Sequence, residues 1–236
     1  MYYRVTKYND LIDIIIPHFY SYPLLSLKTI IFSNWVKAVE LLASGQHKSK
    51  NGFLEILSIY AAIGRGPSNK IKSYFPDLVP AKVPEYNLAV ADLNPWWLSG
   101  YLTIYCHFEL AVYAGQWYLD VYNKLRHSFS ISRDISELKL INLIGEYLGV
   151  KIYIRTENKR VDLYISSLPD CQVLIKFLDL YPLQSSKQQE YLIWRKFIYI
   201  AIAFNSKNPK LAGNLDENIS IFFDLIKKLD RIREEN

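Results

Sequence analysis

The sequence predicts an α+β fold, with antiparallel strand pairs laid against helices as αββαββα half-domains, the first of them incomplete. Three observations predict it. Two pairs of segments alternate apolar and polar residues with period two, the mark of half-buried strands. Helix-length apolar patterns flank them, opened by capping residues and closed by glycine or proline. Residues 22–37 (YPLLSLKTIIFSNWVK) recur as residues 181–196 (YPLQSSKQQEYLIWRK) with seven of sixteen positions identical: Tyr22/Tyr181, Pro23/Pro182, Leu24/Leu183, Ser26/Ser185, Lys28/Lys187, Trp35/Trp194 and Lys37/Lys196. The copies lie too far apart for a solenoid and mark a duplicated half-domain.

In the first copy, Val5-Thr6-Lys7 reads as a strand with Tyr2 and Arg4 on one face. A helix, the Tyr22-Pro23-Leu24 turn and a second helix carrying Trp35 and Lys37 follow. Proline closes one helix and opens the next because it lacks an N–H and fixes φ. Residues 1–63 are expected to be the back part of a first repeat, and residues 94–236 a complete second one. Between them, residues 64–93 carry Pro67, Pro76, Pro80 and Pro84 and read as a linker without regular structure.

The second repeat opens with Asn94 as N-cap and Pro95 at the first helical position of a helix running to Cys106. Its small residues, Ser99 and Gly100, let another backbone come close. Phe108, Leu110 and Val112 then alternate with His107, Glu109, Ala111 and Tyr113, and a hairpin through Ala114-Gly115 follows. In the next strand Leu125, His127, Phe129 and Ile131 alternate with Lys124, Arg126, Ser128, Ser130 and Ser132. A helix from Asp134 to Leu148 stops at Gly149. Strands at 150–155 and 161–166 are joined by the turn Thr156-Glu157-Asn158-Lys159-Arg160, and helices near 170–180, 186–204 and 216–233 complete the copy.

Composition bounds the function. Of 236 residues, 50% are hydrophobic and 22% charged, which excludes a disordered chain, and the net charge of +5 is too small for a basic tail. Nineteen tyrosines dominate the aromatics; Tyr22, Tyr181, Trp35 and Trp194 are expected in the core. Cys106 and Cys171 form no C-x-x-C and have no matching histidine pair, so neither a disulfide framework nor a zinc site is indicated. No metal and no other cofactor is expected. The longest uncharged apolar stretch, Phe197 to Phe204, is far below the roughly 18 residues of a spanning helix, so no membrane insertion is expected. The Met1-Tyr2-Tyr3-Arg4 start shows neither a signal peptide nor a transit peptide. Aromatic-, Ile- and Asn-rich usage of this kind fits an AT-rich organellar genome, and a mitochondrial location is expected.

Taken in order, Asn94-Pro-Trp-Trp-Leu-Ser-Gly-Tyr-Leu, the Phe129-Ser-Ile-Ser strand running into Asp134, Lys151-Ile-Tyr-Ile-Arg155 and the two Tyr-Pro-Leu…Lys segments resemble the LAGLIDADG family of homing endonucleases and intron maturases. The resemblance implies two αββαββα halves, motif helices packed at a pseudo-two-fold axis, and antiparallel sheets forming a saddle that grips nucleic acid. It also implies that the motif helix ends in carboxylates that bind a divalent metal. Here, beyond Gly100, those positions hold Thr103 and Tyr105, neither of which supplies an anionic oxygen at neutral pH. The glutamine that commonly ends the second strand is replaced by Arg133, and Glu109 reads as a surface charge rather than a displaced ligand. On this basis no catalytic residue is expected, and the chain reads as a non-enzyme.

What remains is a binding surface. Alternation places Lys124, Arg126, Ser128, Ser130 and Ser132 opposite the helices, with Lys151, Tyr153 and Arg155 on one face and Asp162 with Tyr164 on another stretch of it. Tyr113, Arg133, Lys159, Arg160 and Arg4 join them as candidate contacts, a mixture suited to phosphates and stacking. RNA is expected ahead of DNA, with the chain a structural RNA-binding component of a mitochondrial ribosome or other ribonucleoprotein. The alternatives are a group I intron maturase, half of a split homing endonuclease, and a pure protein-interaction module. Helix 96–106, with Trp96, Trp97, Tyr101 and Tyr105, is expected to be covered by a protein partner, a second chain or folded RNA.

Overall fold

The alternating segments of the second repeat form one four-stranded antiparallel sheet in the computed structural model of the chain, in the order β1-β2-β4-β3. Its strands are β1 (Cys106–Val112), β2 (Leu125–Asp134), β3 (Ile152–Arg155) and β4 (Arg160–Ile165). The structure describes residues 4–63, 66–88, 92–112, 125–150, 152–155, 158–205 and 215–235. They divide into two units, residues 1–90 and 91–236.

Register follows the period-two pattern. Phe108 lies opposite Phe129, Ile131 opposite Leu163, and Phe129 also opposite Ile165, so one face of the sheet is continuous and apolar. Phe108, Phe129, Ile131, Val161 and Leu163 are fully buried on it. Helices cover that face. They are α6 (Pro95–Tyr105), α7 (Leu138–Leu148), α8 (Leu168–Leu180), α9 (Ser185–Asn205) and α10 (Leu215–Glu234). Phe108 sits at the centre, 5.3 Å from the Trp194 ring and 5.4 Å from Phe129. The capping signals read at Asn94 and Gly149 are used, and the structure adds a cap at Ser167. Asn94 accepts from the N–H groups of Trp96 and Trp97, Ser167 accepts from Asp170 N–H, and Gly149 closes α7 at φ 66°. β2 runs two residues further than expected; Asp134 ends it and caps a 3-10 turn, Ile135–Glu137, before α7 begins.

His127 lies on the apolar face, its ring 6.1 Å from Phe197, and neither buried ring nitrogen makes a well-formed hydrogen bond among the described residues. Burial pushes it below the ordinary imidazole range, with the Ser166 backbone opposing in part. The unfolded chain therefore takes up a proton that the folded one resists, so stability is full above pH 6.5 and falls as pH drops below it. Denaturant unfolding at pH 7 and pH 5 should show this loss. His127→Leu should make the decline shallower, with the rest of it tracking His107, which burial and Arg233 also hold low.

Every regular element among the described residues of the first unit is a helix. Tyr8–Asp10 (α1) passes through a π-turn, Leu11–Ile15, into α2 (Ile16–Ser21), and α3 (Lys28–Ala43) and α4 (Lys50–Ala62) follow. Ile16, Val36 and Val39 form its core, with Phe32 and Trp35 packed on them. Three expectations are corrected here. Arg4 and Val5-Thr6-Lys7 are not a strand: they are irregular, and no ladder partner for them lies among the described residues. The segment expected to lack regular structure contains α5 (Asn69–Tyr74), capped by Ser68. Tyr22 is 66% exposed, whereas its counterpart Tyr181 packs on Trp96. The two tyrosines still end their helices in the same backbone conformation, φ −125°, ψ 75° against φ −126°, ψ 77°.

Candidate nucleic-acid interface

The face of the sheet turned away from the helices carries the candidate contacts in cross-strand rows. Ser130 lies opposite both His107 and Tyr164, Ser132 opposite Asp162, and Asp162 opposite Tyr153. Arg160 lies opposite Asp134 on one side and Arg155 on the other, and Arg126 opposite Ala111. Period-two register thus gathers Arg126, Ser128, Ser130, Ser132, Arg160 and Tyr164 on one surface, and residues 153 and 155 hold register positions opposite Asp162 and Arg160. Arg126 and Arg160 are exposed, and Tyr164 is 41% exposed. Lys159 stands exposed on the β3–β4 turn with a left-handed backbone, φ 51°. Tyr113, Lys124 and Lys151 lie outside the described residues.

Part of this surface is organised by its own hydrogen bonds. Ser128, 2% exposed, donates to Glu109 Oε2 at 2.9 Å. Ser132 donates to Asp162 and accepts from Arg160 Nε at 2.9 Å, while Arg160 Nη2 reaches the Ser132 carbonyl at 3.1 Å. The Arg160 guanidinium is thereby held above the sheet in a fixed orientation, the pre-arrangement a phosphate contact needs. Asp162, only 3% exposed, is joined to Arg160 through the shared Ser132 hydroxyl.

Arg133 is the correction among the candidate contacts. It shares parity with Phe129 and Ile131 and so points to the helices. Its Nε and Nη2 donate to Glu137 Oε2 and Oε1 at 2.7 and 2.9 Å, and its guanidinium lies 4.0 Å from the Tyr105 ring centroid. Glu137 is fully buried, and Tyr101 also donates to it at 3.3 Å. That pair raises the Arg133 pKa still further above its usual value, and burial with the nearby Glu137 charge raises that of the Tyr101 phenol. Nothing in composition flagged Glu137, because a lone glutamate reads as a surface charge; its one signal was the four-residue spacing from Arg133.

The end of α6 is equally occupied. Thr103 Oγ1 donates to Ser99 O at 2.9 Å and accepts from Gln184 N–H at 3.0 Å, and Ser99 Oγ donates to Pro182 O at 2.7 Å. The Tyr-Pro-Leu turn is thus fastened onto α6. A hydroxyl with both roles filled and a tyrosine ring beneath a guanidinium do not fit a divalent cation, which takes oxygen anions. Among the described residues no group of three or more His, Cys, Asp or Glu could hold a metal ion. Both cysteines are buried free thiols, pushed up by burial to about 12, and so unreactive. No helix among the described residues is long and apolar enough to cross a membrane.

The opposite side of α6 is open. Trp96 is 60% and Ile104 70% exposed, and Gly100 lies between them one helical turn from each, with nothing within 4 Å of the position a Cβ would take. Tyr101, expected on this exposed surface, is instead buried, and Trp97 stacks on it at 5.1 Å.

Comparison with known proteins bears on these features. Residues 107–198 match the family model described as LAGLIDADG endonuclease. The chain is 31% identical over 196 residues to "Probable intron-encoded endonuclease 3" of Neurospora crassa, covering 82% of this chain and 36% of that protein. It is 25% identical over 230 residues to "Probable intron-encoded endonuclease 2" of the same fungus, covering 93% and 48%. The chain therefore spans less than half the length of these curated relatives. Its fold matches that of the LAGLIDADG homing endonuclease I-SmaMI bound to cleaved DNA, with TM-score 0.83 and 24% identity over 98% of this chain and 75% of that one. It also matches I-LtrWI bound to target DNA, with TM-score 0.80 and 26% identity over 96% and 73%. The expectation of a non-enzyme is overturned by these relatives, which are named endonucleases. The expected ribosomal role and the preference for RNA gain no support from proteins named for introns and solved on DNA. The LAGLIDADG match over residues 107–198, the intron-encoded endonuclease homologues and the homing-endonuclease fold together show that this chain belongs to the LAGLIDADG family.

Proposed function

We propose that the chain is the DNA-gripping part of an intron-encoded LAGLIDADG homing endonuclease. The observation that carries it is the outer sheet face: exposed Arg126, a pre-oriented Arg160, Ser130 and the exposed Tyr164 ring in register, on a fold also seen in endonucleases bound to DNA. Phosphate contacts from the arginines position the duplex, and the serine and tyrosine rows meet base edges. Residues 1–63 serve as the back part of a first repeat, a reading supported by the matching helix ends at Tyr22 and Tyr181. The open strip of α6 receives a second motif helix. The carboxylates that hold a catalytic metal in such an enzyme come from residues other than 103 and 105. The intron-encoded fungal relatives and the AT-biased composition support a mitochondrial setting.

Duplex DNA should bind the 236-residue chain with an affinity that falls steeply with salt. In the double variant Arg126→Gln, Arg160→Gln the slope of log affinity against log salt should shrink by about 2. A structured RNA of equal length should compete at least about ten-fold less well (about 1.4 kcal/mol). Stronger competition by RNA would overturn the DNA reading in favour of a maturase. Absence of binding to either would leave only a protein-interaction role.

A further inference from the structure

The first unit contains a cavity that the sheet-face reading does not use. Its volume is about 760 Å³, inside the range of small-molecule sites. One wall is the chain from Phe75 to Lys82, fastened over α4 by Ser58, whose hydroxyl donates to the Val79 carbonyl and whose carbonyl accepts from Ala81 N–H at 2.9 Å. The cavity is thus formed before any ligand enters.

Three features of its lining specify the chemistry of an occupant. Phe53 and Phe75 lie with ring centroids 5.9 Å apart and tilted by 56°, an aromatic corner against which a flat ring can stack. Lys37, Lys50 and Lys82 border the space against two carboxylates, Glu55 and Asp77. Among the described residues none of the three ammonium groups is in an ion pair. Asn34, on α3, is only 2% exposed and lines the cavity, and its amide has no hydrogen-bond partner among the described residues. An amide that lines the cavity without a protein partner is open to a hydrogen bond from a ligand. An alkyl acid would satisfy the lysines and leave that amide stranded. A flat ring with a neighbouring donor and acceptor would satisfy it, and asparagine pairs in this way with the amino group and ring nitrogen of adenine.

We propose that this cavity is an adenine-nucleotide site, with the base in the aromatic corner and on Asn34, and the phosphate among the lysines. The nucleotide could be free or the 5′-phosphorylated end of a nucleic acid, and the two sources are separable. The test is calorimetric titration of the 236-residue chain with AMP, adenosine and orthophosphate in separate runs. Further runs use an oligonucleotide beginning with a 5′-phosphorylated adenylate and the same oligonucleotide without that phosphate. AMP should bind saturably, with adenosine and orthophosphate each at least ten-fold weaker. Asn34→Leu should weaken AMP at least ten-fold, and so should Lys50→Gln with Lys82→Gln. The surface lysine variants guard against misreading a folding defect in the core variant. Arg126→Gln, on the sheet, should leave AMP binding unchanged. Oligonucleotide binding that needs both the 5′-phosphate and Asn34 assigns the site to a nucleic-acid end; AMP binding without it assigns a free nucleotide. No saturable AMP binding by the folded chain, or affinity unmoved by all three cavity substitutions, overturns the proposal.

Discussion

Arg133→Ala is expected to destabilise the second unit by about 3–5 kcal/mol, because it leaves a fully buried carboxylate without its cation. Glu137, fully buried, loses two charge-assisted bonds at 2.7 and 2.9 Å, and the 3.3 Å bond from Tyr101 does not replace a cation. The cation–π contact with Tyr105 is lost as well. The converse variant, Glu137→Leu, should cost less, since the Arg133 side chain is 21% exposed and can turn to solvent. Removing both charges with Arg133→Met and Glu137→Leu should recover most of the loss, because an apolar pair of similar volume has no desolvation penalty to offset. Chemical denaturation of the four proteins closes a double-mutant cycle, and a coupling below about 0.5 kcal/mol would show that the pair does not act as a unit. The same cycle separates structure from binding. If Arg133 contacted phosphate, Arg133→Met would lower the salt slope of DNA binding; its place on the helix side predicts an unchanged slope in the rescued double variant.

Arg133 also shows where sequence reading succeeds and where it stops. Period-two alternation correctly divided the two faces of the sheet, since side-chain direction in a strand is a local property. By that same alternation residue 133 belongs with Phe129 and Ile131, yet an arginine beside four serines and arginines reads as surface. Only the three-dimensional partner, a glutamate in the following 3-10 turn, explains a cation on the apolar face. Thr103 is a comparable case. The bond it accepts from Gln184 N–H ties α6 to a turn 81 residues away, and no window of local pattern contains both. Caps at Asn94 and Gly149 were legible because each is decided within one helical turn. The first-copy strand was not, because a strand exists only with its ladder partner. The step from Thr103 and Tyr105 to a non-enzyme failed for a related reason: two positions on one helix do not define a site assembled from several elements.

If the chain acts as proposed, in a LAGLIDADG endonuclease, Gly100→Leu is expected to leave the fold intact and to abolish DNA cleavage. The two halves of that expectation rest on different physics. Nothing lies within 4 Å of the position of an added Cβ, so a side chain at residue 100 starts into open space. Leucine is also the better helix former, by most of 1 kcal/mol. The melting temperature of the 236-residue chain should therefore stay constant or rise. Packing of a second helix on this strip is another matter. Trp96 and Ile104 stand exposed one turn before and after Gly100, whose bare backbone lets two helices approach to about 8–10 Å or less. A leucine there pushes the partner axis outward, and a displacement of about 1 Å is enough to cost a catalytic centre on the order of 100-fold. Gly100→Ala supplies the graded control, with a small stability gain and a partial loss of cleavage. Target cleavage measured beside thermal melting distinguishes the outcomes. Retained cleavage in Gly100→Leu would mean that no helix packs against the open strip of α6, whereas a lowered melting temperature would mean that the space around residue 100 is already filled.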